Sequence, residues 1–269
     1  QQQIAGENLQ GFCKGTSSAK KFTVSFYAKA NESRVVSLEL SDSDNSRTIS
    51  QLFTVTADWQ RHVLTFDADT TGAFDNDTNK SMSMIFWLHA GSNFTGGTLN
   101  TSWNSNTNAN RAAGIGSLLA STDNNFYITG WQFEVGDHAT DFEHIPRDVN
   151  LKRCQRYFYN LSSLGPYVPA SEAAYLGAGF YYTSSFVIAM INLPTAMRTE
   201  PSLTTSNASN SFMFYRNGEG DNMDDLSLNG SSSAICATVQ NNTDVSGTAG
   251  HAGGLVVQAG TICNLSAEI

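Results

Sequence analysis

The stretch Phe22-Thr23-Val24-Ser25-Phe26-Tyr27-Ala28-Lys29 decides the fold class, because apolar and polar side chains alternate along it. Successive side chains of a β-strand point to opposite faces, so this alternation predicts a strand with one buried face. Several short strands without helices between them are typical of a sandwich or jelly roll. The alternation recurs at Val36, Leu38 and Leu40, at Ile49, Phe53 and Val55, at His62, Leu64 and Phe66, at Met82, Met84, Phe86 and Leu88, and at Tyr127, Trp131, Phe133 and Val135.

The apolar positions of these strands predict a single core for the first half of the chain. Side chains that share a strand face should be buried together. The set expected to be mostly buried is Phe22, Val24, Phe26, Leu38, Phe53, Leu64, Phe86, Trp131 and Phe133.

A helical pattern interrupts the strands near residue 150. Leu151, Cys154 and Phe158 lie three and four residues apart, and Asp148 is in position to cap the first turn. We therefore predict a short helical connector over 146–156.

Strand patterns return after this connector. The dipeptides Asn217-Gly218 and Asn229-Gly230 are typical of hairpin turns. We predict an all-β chain with less than about a tenth of its residues in helix, an N-terminal jelly-roll sandwich over 1–145 and a smaller C-terminal β-sandwich over 157–269. The expected strands of the C-terminal sandwich are Tyr157–Leu161, Tyr175–Tyr181, Ser185–Leu193, Ser202–Ser206, Phe212–Arg216, Ala234–Gln240, Gly254–Ala259 and Thr261–Leu265.

Composition excludes some classes of partner. The chain of 269 residues is 14% charged, with a formal net charge of −9. Nucleic-acid phosphates require clustered Lys and Arg, so a nucleic-acid partner is not expected, nor is an anionic membrane surface. No apolar run reaches the roughly 18 residues of a membrane span, so membrane insertion is not expected. The start at Gln1 shows neither an initiator Met nor a signal peptide, which favours the C-terminal part of a longer protein.

Cysteine spacing gives no metal or disulfide pattern. Cys13, Cys154, Cys236 and Cys263 are scattered and form no C-x-x-C pair. Buried free thiols are the expected state of cysteines in a chain of this length.

Several separated blocks of sequence carry a resemblance. Trp131–His144 is followed by Leu151–Tyr159, and the blocks Ser18–Ala30, Ala90–Thr95, Ile191–Pro201 and Asn264–Ile269 flank them in order. This arrangement resembles virion structural proteins of tailed bacteriophages, many of them tail fibres, in which the first half is similar to carbohydrate-binding jelly rolls. The chain departs from that pattern at Asp141, where the family has proline.

The resemblance implies a non-enzymatic virion protein. The expected function is that of the distal part of a tail fibre, which recognises a host surface polysaccharide or lipopolysaccharide and contacts other virion proteins. The alternative is a capsid or tail decoration or scaffold protein that binds only virion proteins. The family implies a homotrimer, assembly in the bacterial cytoplasm, and a further strand before Gln1. Low charge in the C-terminal domain favours that domain as the trimer contact.

Two loops are candidates for glycan binding. Trp103 lies in the Asn-, Ser- and Thr-rich segment Ala90–Asn125, where an exposed ring could stack on a sugar. The turn from Asn217 to Asn222 could form an exposed tip, in which Asn217, Glu219, Asp221 and Asn222 offer hydrogen-bonding groups. Other aromatic candidates are Tyr127, Tyr167, Tyr181 and Tyr182.

Metal-binding and catalytic motifs are incomplete. Glu143-His144 beside Asp137-His138 matches no zinc pattern, and no nucleophile elbow or phosphate loop occurs. Carboxylates two residues apart at Asp42/Asp44, Asp67/Asp69 and Asp75/Asp77 leave open a structural calcium ion, with solvated turns as the default interpretation. No other cofactor is expected.

Overall fold

The alternating segments form β-strands, as predicted. The computed structural model describes residues 1–161, 173–206 and 208–268. Strands account for 43% and helices for 10%, so the helical share lies at the predicted upper limit. The chain divides into two compact units, residues 1–144 and residues 145–268. Within the described residues, no helix has the length and hydropathy needed to cross a bilayer.

Unit 1 is a jelly-roll-like sandwich of antiparallel strands. One sheet has the order β1-β6-β3-β4-β7 and the other the order β5-β2-β8. Its strands are β1 (Gln2–Ala5), β2 (Phe22–Ala30), β3 (Arg34–Asp42), β4 (Arg47–Val55), β5 (Gln60–Phe66), β6 (Lys80–Trp87), β7 (Asn104–Ser105) and β8 (Phe126–Val135), with one helical turn, α1 (Ser92–Thr95).

The predicted core of unit 1 is confirmed. Phe22, Val24, Phe26 and Leu38 are fully buried between the sheets, and Phe53 and Leu64 are each 7% exposed. The remaining three predicted residues, Phe86, Trp131 and Phe133, are partly buried and pack against this core. Phe26 makes edge contacts with Phe53 and Phe86 across the two sheets, at centroid distances of 5.2 and 5.3 Å.

The long segment between β6 and β8 is packed onto unit 1. Its backbone bonds to the sheet, since Ser50 N donates to Asn100 O at 2.7 Å and Gly116 N donates to Val35 O at 2.8 Å. Leu118 is fully buried. These contacts confirm a packed loop, and Arg111 of the same segment pairs with Glu39 on the face of β3 that points away from the core.

Unit 2 begins with the predicted helix and continues as a second sandwich. Its elements are α2 (Arg147–Gln155), β9 (Phe158–Asn160), β10 (Ala174–Thr183), β11 (Phe186–Asn192), β12 (Ser202–Thr205), β13 (Phe212–Arg216), β14 (Glu219–Met223), β15 (Ser227–Leu228), β16 (Cys236–Asn241), β17 (Ala252–Val257) and β18 (Cys263–Ser266). A seven-stranded sheet, β14-β13-β17-β10-β11-β16-β15, packs on a three-stranded sheet, β12-β18-β9.

One local expectation for unit 2 is wrong. Asp148 does not cap α2: Pro146 occupies the N-cap position without a side-chain cap bond, and Asp148 lies in the first turn. There its negative charge suits the positive end of the helix dipole. Asn229-Gly230 does mark a hairpin, as predicted, because β15 and β16 pair Leu228 with Val239 and the connecting loop begins at Asn229.

The four cysteines are thiols, as expected, but only one of them is buried. Cys263 is buried and Cys154 is exposed, while Cys13 and Cys236 are intermediate. Burial raises the pKa of the Cys263 thiol to about 12. Because only a thiolate is strongly nucleophilic, Cys263 is an inert packing residue.

His62 makes unit 1 sensitive to acid. Its ring packs between Phe26 and Phe53 at 5.4 and 4.9 Å, and burial lowers its pKa below the ordinary value. A lowered folded-state pKa means that the unfolded chain takes up the proton first, so stability is full above about pH 6.5 and falls as the pH drops through the histidine range. We expect His62→Phe to reduce the loss of melting temperature between pH 7.5 and 5.5.

Thermal unfolding at the two pH values tests this expectation. His138→Gln is the matched control, because the His138 side chain is 89% exposed. Equal melting-temperature losses in wild type and His62→Phe would contradict it.

Candidate functional site

The predicted hairpin turn is confirmed and exposed at its tip. Arg216 pairs with Glu219 across a two-residue turn, in which Asn217 and Gly218 have φ of 45° and 80°. Positive φ at both central positions is the geometry that Asn-Gly favours. Asn217 in the turn is exposed, as are Glu219 and Asn222 on the edge strand β14.

Asp221 is held in an interior cluster below this tip. Tyr181, which is fully buried, donates its hydroxyl to Asp221 Oδ2. Arg216 Nη2 lies 3.0 Å from the same oxygen, and its guanidinium stacks on the Tyr181 ring at 4.9 Å. Burial, reinforced by the bond to Asp221, raises the pKa of Tyr181. Asp221 is therefore hydrogen-bonded to Tyr181 and Arg216 within unit 2. The side chains at the tip that remain available to a ligand are chiefly those of Asn217, Glu219 and Asn222.

Trp103 is not an exposed loop aromatic, and that expectation is wrong. The residue is 9% exposed, and its Nε1 donates to Asp67 O at 2.8 Å. The ring packs 6.0 Å from Phe22 and 5.2 Å from the Lys14 ammonium. Burial removes the physical reason for assigning Trp103 to a glycan site.

The other aromatic candidates separate by exposure. Tyr127 and Tyr182 are 49% and 62% exposed, whereas Tyr181 is buried in the cluster described above. The Tyr127 ring lies 5.3 Å from the Lys29 ammonium, which the Trp59 ring flanks at the same distance. Tyr167 lies outside the described residues.

Two of the predicted aspartates meet around a lysine. Lys14 Nζ lies 2.6 Å from Asp42 Oδ2 and 3.2 Å from Asp69 Oδ2, and all three side chains are at most 4% exposed. The same ammonium donates to Thr71 O at 3.0 Å and Gly72 O at 2.8 Å. We call Lys14, Asp42, Arg47, Asp69 and Trp103 the Lys14 cluster.

The Lys14 ammonium has the oxygen-rich environment that a cation requires. Burial alone would raise the pKa of Asp69, but hydrogen bonds from Arg47, Thr71 and Lys14 outweigh it and lower that pKa. Among the described residues, no three His, Cys, Asp or Glu side chains form a group that could hold a metal ion. The sequence left calcium open at these aspartates, and the structure places an ammonium between two of them.

A polar groove lies on the face of the five-stranded sheet that points away from the core. Alternation along β3 buries Leu38 and Leu40 inside, so Ser41 faces out, and the register sets it beside Ser83 of β6. The cavity is about 290 Å³. We call it the serine groove; its lining residues are Gln1, Ser41, Asp42, Ser43, Ser46, Lys80, Ser83, Ile85, Asn106 and Arg111.

A buried carboxylate fixes one wall of the serine groove. Glu39 is fully buried, and Arg111 Nη2 donates to its Oε1 at 2.6 Å while Nε lies 3.1 Å from both oxygens. Trp87 donates its Nε1 to Glu39 at 3.3 Å and lies under the guanidinium at 5.2 Å. Bidentate pairing holds Arg111 in one orientation, so this wall is preorganised.

The groove can hydrogen-bond a polyhydroxylated ligand. Gln1 Nε2 donates to Ser83 Oγ at 3.1 Å, and hydroxyl, amide and ammonium groups converge from the other lining residues. Hydroxyls and amides both donate and accept, as sugar hydroxyls do. No residue of the groove was a glycan-binding candidate from sequence, although Asp42 was a candidate calcium ligand.

Comparison with known proteins assigns no family or function to the chain. No protein-family model matches the chain, and no curated protein matches it.

Proposed function

We propose that this chain is a structural component of a tailed-bacteriophage virion, the distal part of a tail fibre that recognises a host surface glycan. The observation that supports glycan recognition best is the serine groove, whose polar lining and fixed Arg111 suit a saccharide. The all-β fold and the ordered sequence blocks support the fibre assignment. The proposal includes a homotrimer, contact with other virion proteins, and a location on an external appendage.

The alternative is a decoration or scaffold protein that binds only virion proteins. The two functions differ in an observable way, because only a glycan-binding fibre should bind bacterial envelopes by itself. Binding to virion proteins together with failure to bind any envelope glycan would favour the alternative.

We expect the groove variant Lys80→Ala/Asn106→Ala to weaken glycan binding at least about tenfold. A lost neutral hydrogen bond costs about 0.5–1.5 kcal/mol, and one from a charged group costs about 1.5–3 kcal/mol. Both residues line the groove, and Asn106 is exposed, so folding should be unaffected. Binding is measured on an array of bacterial polysaccharides and lipopolysaccharides, then on whole cells.

The control variant is Lys20→Ala/Asn76→Ala, which removes the same two side-chain types at exposed positions outside the groove. Wild-type affinity in the control and reduced affinity in the groove variant support the proposal. Equal affinities in both variants would place the glycan elsewhere, with the tip at Asn217 and the exposed Tyr127 as the next sites to change.

A further inference from the structure

The seven-stranded sheet of unit 2 has one face without any charged residue. Its strands contain only three charged residues, Arg216, Glu219 and Asp221. The register pairs Glu219 with Arg216 and Asp221 with the buried Phe214, so all three belong to the core side of the sheet. The opposite side therefore carries no Asp, Glu, Lys, Arg or His along the seven strands.

The central strands of this opposite side carry exposed apolar and aromatic side chains, with polar residues such as Asn192, Asn222 and Gln240 toward its edges. Tyr175, Phe180, Met190 and Tyr215 are 61%, 36%, 48% and 41% exposed. The register places Met190 beside Ala178 at the centre of the sheet. We call this surface, defined by Tyr175, Ala178, Phe180, Met190 and Tyr215, the uncharged face. Large exposed apolar surfaces of this kind mark interaction sites.

Its dimensions suit a stable protein contact. Seven strands about 4.8 Å apart and about five residues long give a sheet surface of roughly 500 Å². That area is of the same order as the roughly 800 Å² that each partner contributes to a standard interface.

We infer that the uncharged face is the surface through which copies of this chain assemble, with the seven-stranded sheets of three copies around a common axis. Identical chains each carry a net charge of −9, so contacts through charged surfaces bring like charges together. Contact through a face without charges avoids that repulsion. The inference rests on the homotrimer of the proposed function and assigns its interface.

Ala178→Glu tests the inference, because it places one charge at the centre of the uncharged face. We expect the wild-type chain to have three times the mass of one chain by light scattering at micromolar concentration. The Ala178→Glu chain should have one third of the wild-type mass. The matched control is Ala208→Glu, at an exposed turn position outside the strands, and it should retain the wild-type mass.

Met190→Lys is the second variant, since Met190 is 48% exposed and tolerates a polar side chain without entering the core. Circular dichroism verifies that each variant is folded. A monomeric wild-type chain, or a folded Ala178→Glu chain that keeps the wild-type mass, would overturn the inference.

Other occupants of the face give distinct results. Loss of glycan binding in Ala178→Glu, with a monomeric wild-type chain, would make the face a glycan site and refute self-association. A wild-type dimer that Ala178→Glu dissociates would support the face as the interface and refute the trimer. Glycan binding through the serine groove is measured separately, so its failure leaves the assembly result standing.

Discussion

Lys14→Met is expected to lower the free energy of unfolding of unit 1 by about 3–5 kcal/mol, the range for removing one partner of a buried ion pair. The Lys14 ammonium is fully buried and lies within 3.2 Å of carboxylate oxygens of both Asp42 and Asp69. Without it, two desolvated carboxylates face each other across the position that the ammonium filled. Met keeps much of the side-chain volume, so the effect isolates the charge.

The remaining partners do not compensate for this loss. Arg47 pairs with Asp69 at 2.7 Å, and Asn45 donates to Asp42 at 3.0 Å. Lys14 and Arg47 balance Asp42 and Asp69, so removing Lys14 leaves one uncompensated negative charge. Such a charge is costly in a site where little water reaches it.

Urea unfolding followed by tryptophan fluorescence measures the effect. All four tryptophans, Trp59, Trp87, Trp103 and Trp131, belong to unit 1, so the signal reports on that unit. The double variant Lys14→Met/Asp42→Asn should recover part of the lost stability, because it removes one of the two carboxylate charges. The electrostatic explanation would be contradicted if Lys14→Met were as stable as wild type. It would also be contradicted if the double variant lost more stability than Lys14→Met and Asp42→Asn lose in total as single variants.

The strands with strong alternation could be predicted from the sequence, whereas strands formed through their neighbours could not. β2, β3 and β8 each have an apolar face that only a sandwich buries. β14 has the sequence Glu-Gly-Asp-Asn-Met, which lacks β-formers. It is a strand because the Asn217-Gly218 turn brings it against β13.

The candidate site was less accessible to sequence analysis. Ser41 and Ser83 are far apart in the chain and meet only through the register of β3 with β6. Glu39 takes the outward position in the alternation of β3, which predicts a solvated carboxylate, but in the structure it is fully buried with a partner. The sequence could not show that Arg111 is that partner, because a long loop supplies it.

Trp103 shows why loop composition is a poor guide to exposure. Polar neighbours indicate that the backbone of a loop is near solvent, but they do not determine where a large side chain points. Here the Trp103 ring reaches into the core beside Phe22. Trp103, which the composition of the loop indicated to be exposed, therefore helps to fix the loop to the core.

Trp103→Ala is consequently expected to destabilise unit 1 by about 3–5 kcal/mol, as for other buried tryptophans truncated to alanine. The substitution opens a cavity beside Phe22, removes the bond from Nε1 to Asp67 O, and withdraws the ring from the Lys14 ammonium. Urea unfolding followed by circular dichroism measures it, with Trp59→Ala as the control because Trp59 is 46% exposed. That control should lose less than about 1 kcal/mol. If Trp103→Ala instead left stability unchanged and abolished glycan binding, the ring would be a ligand contact and the packing of this loop would have to be different.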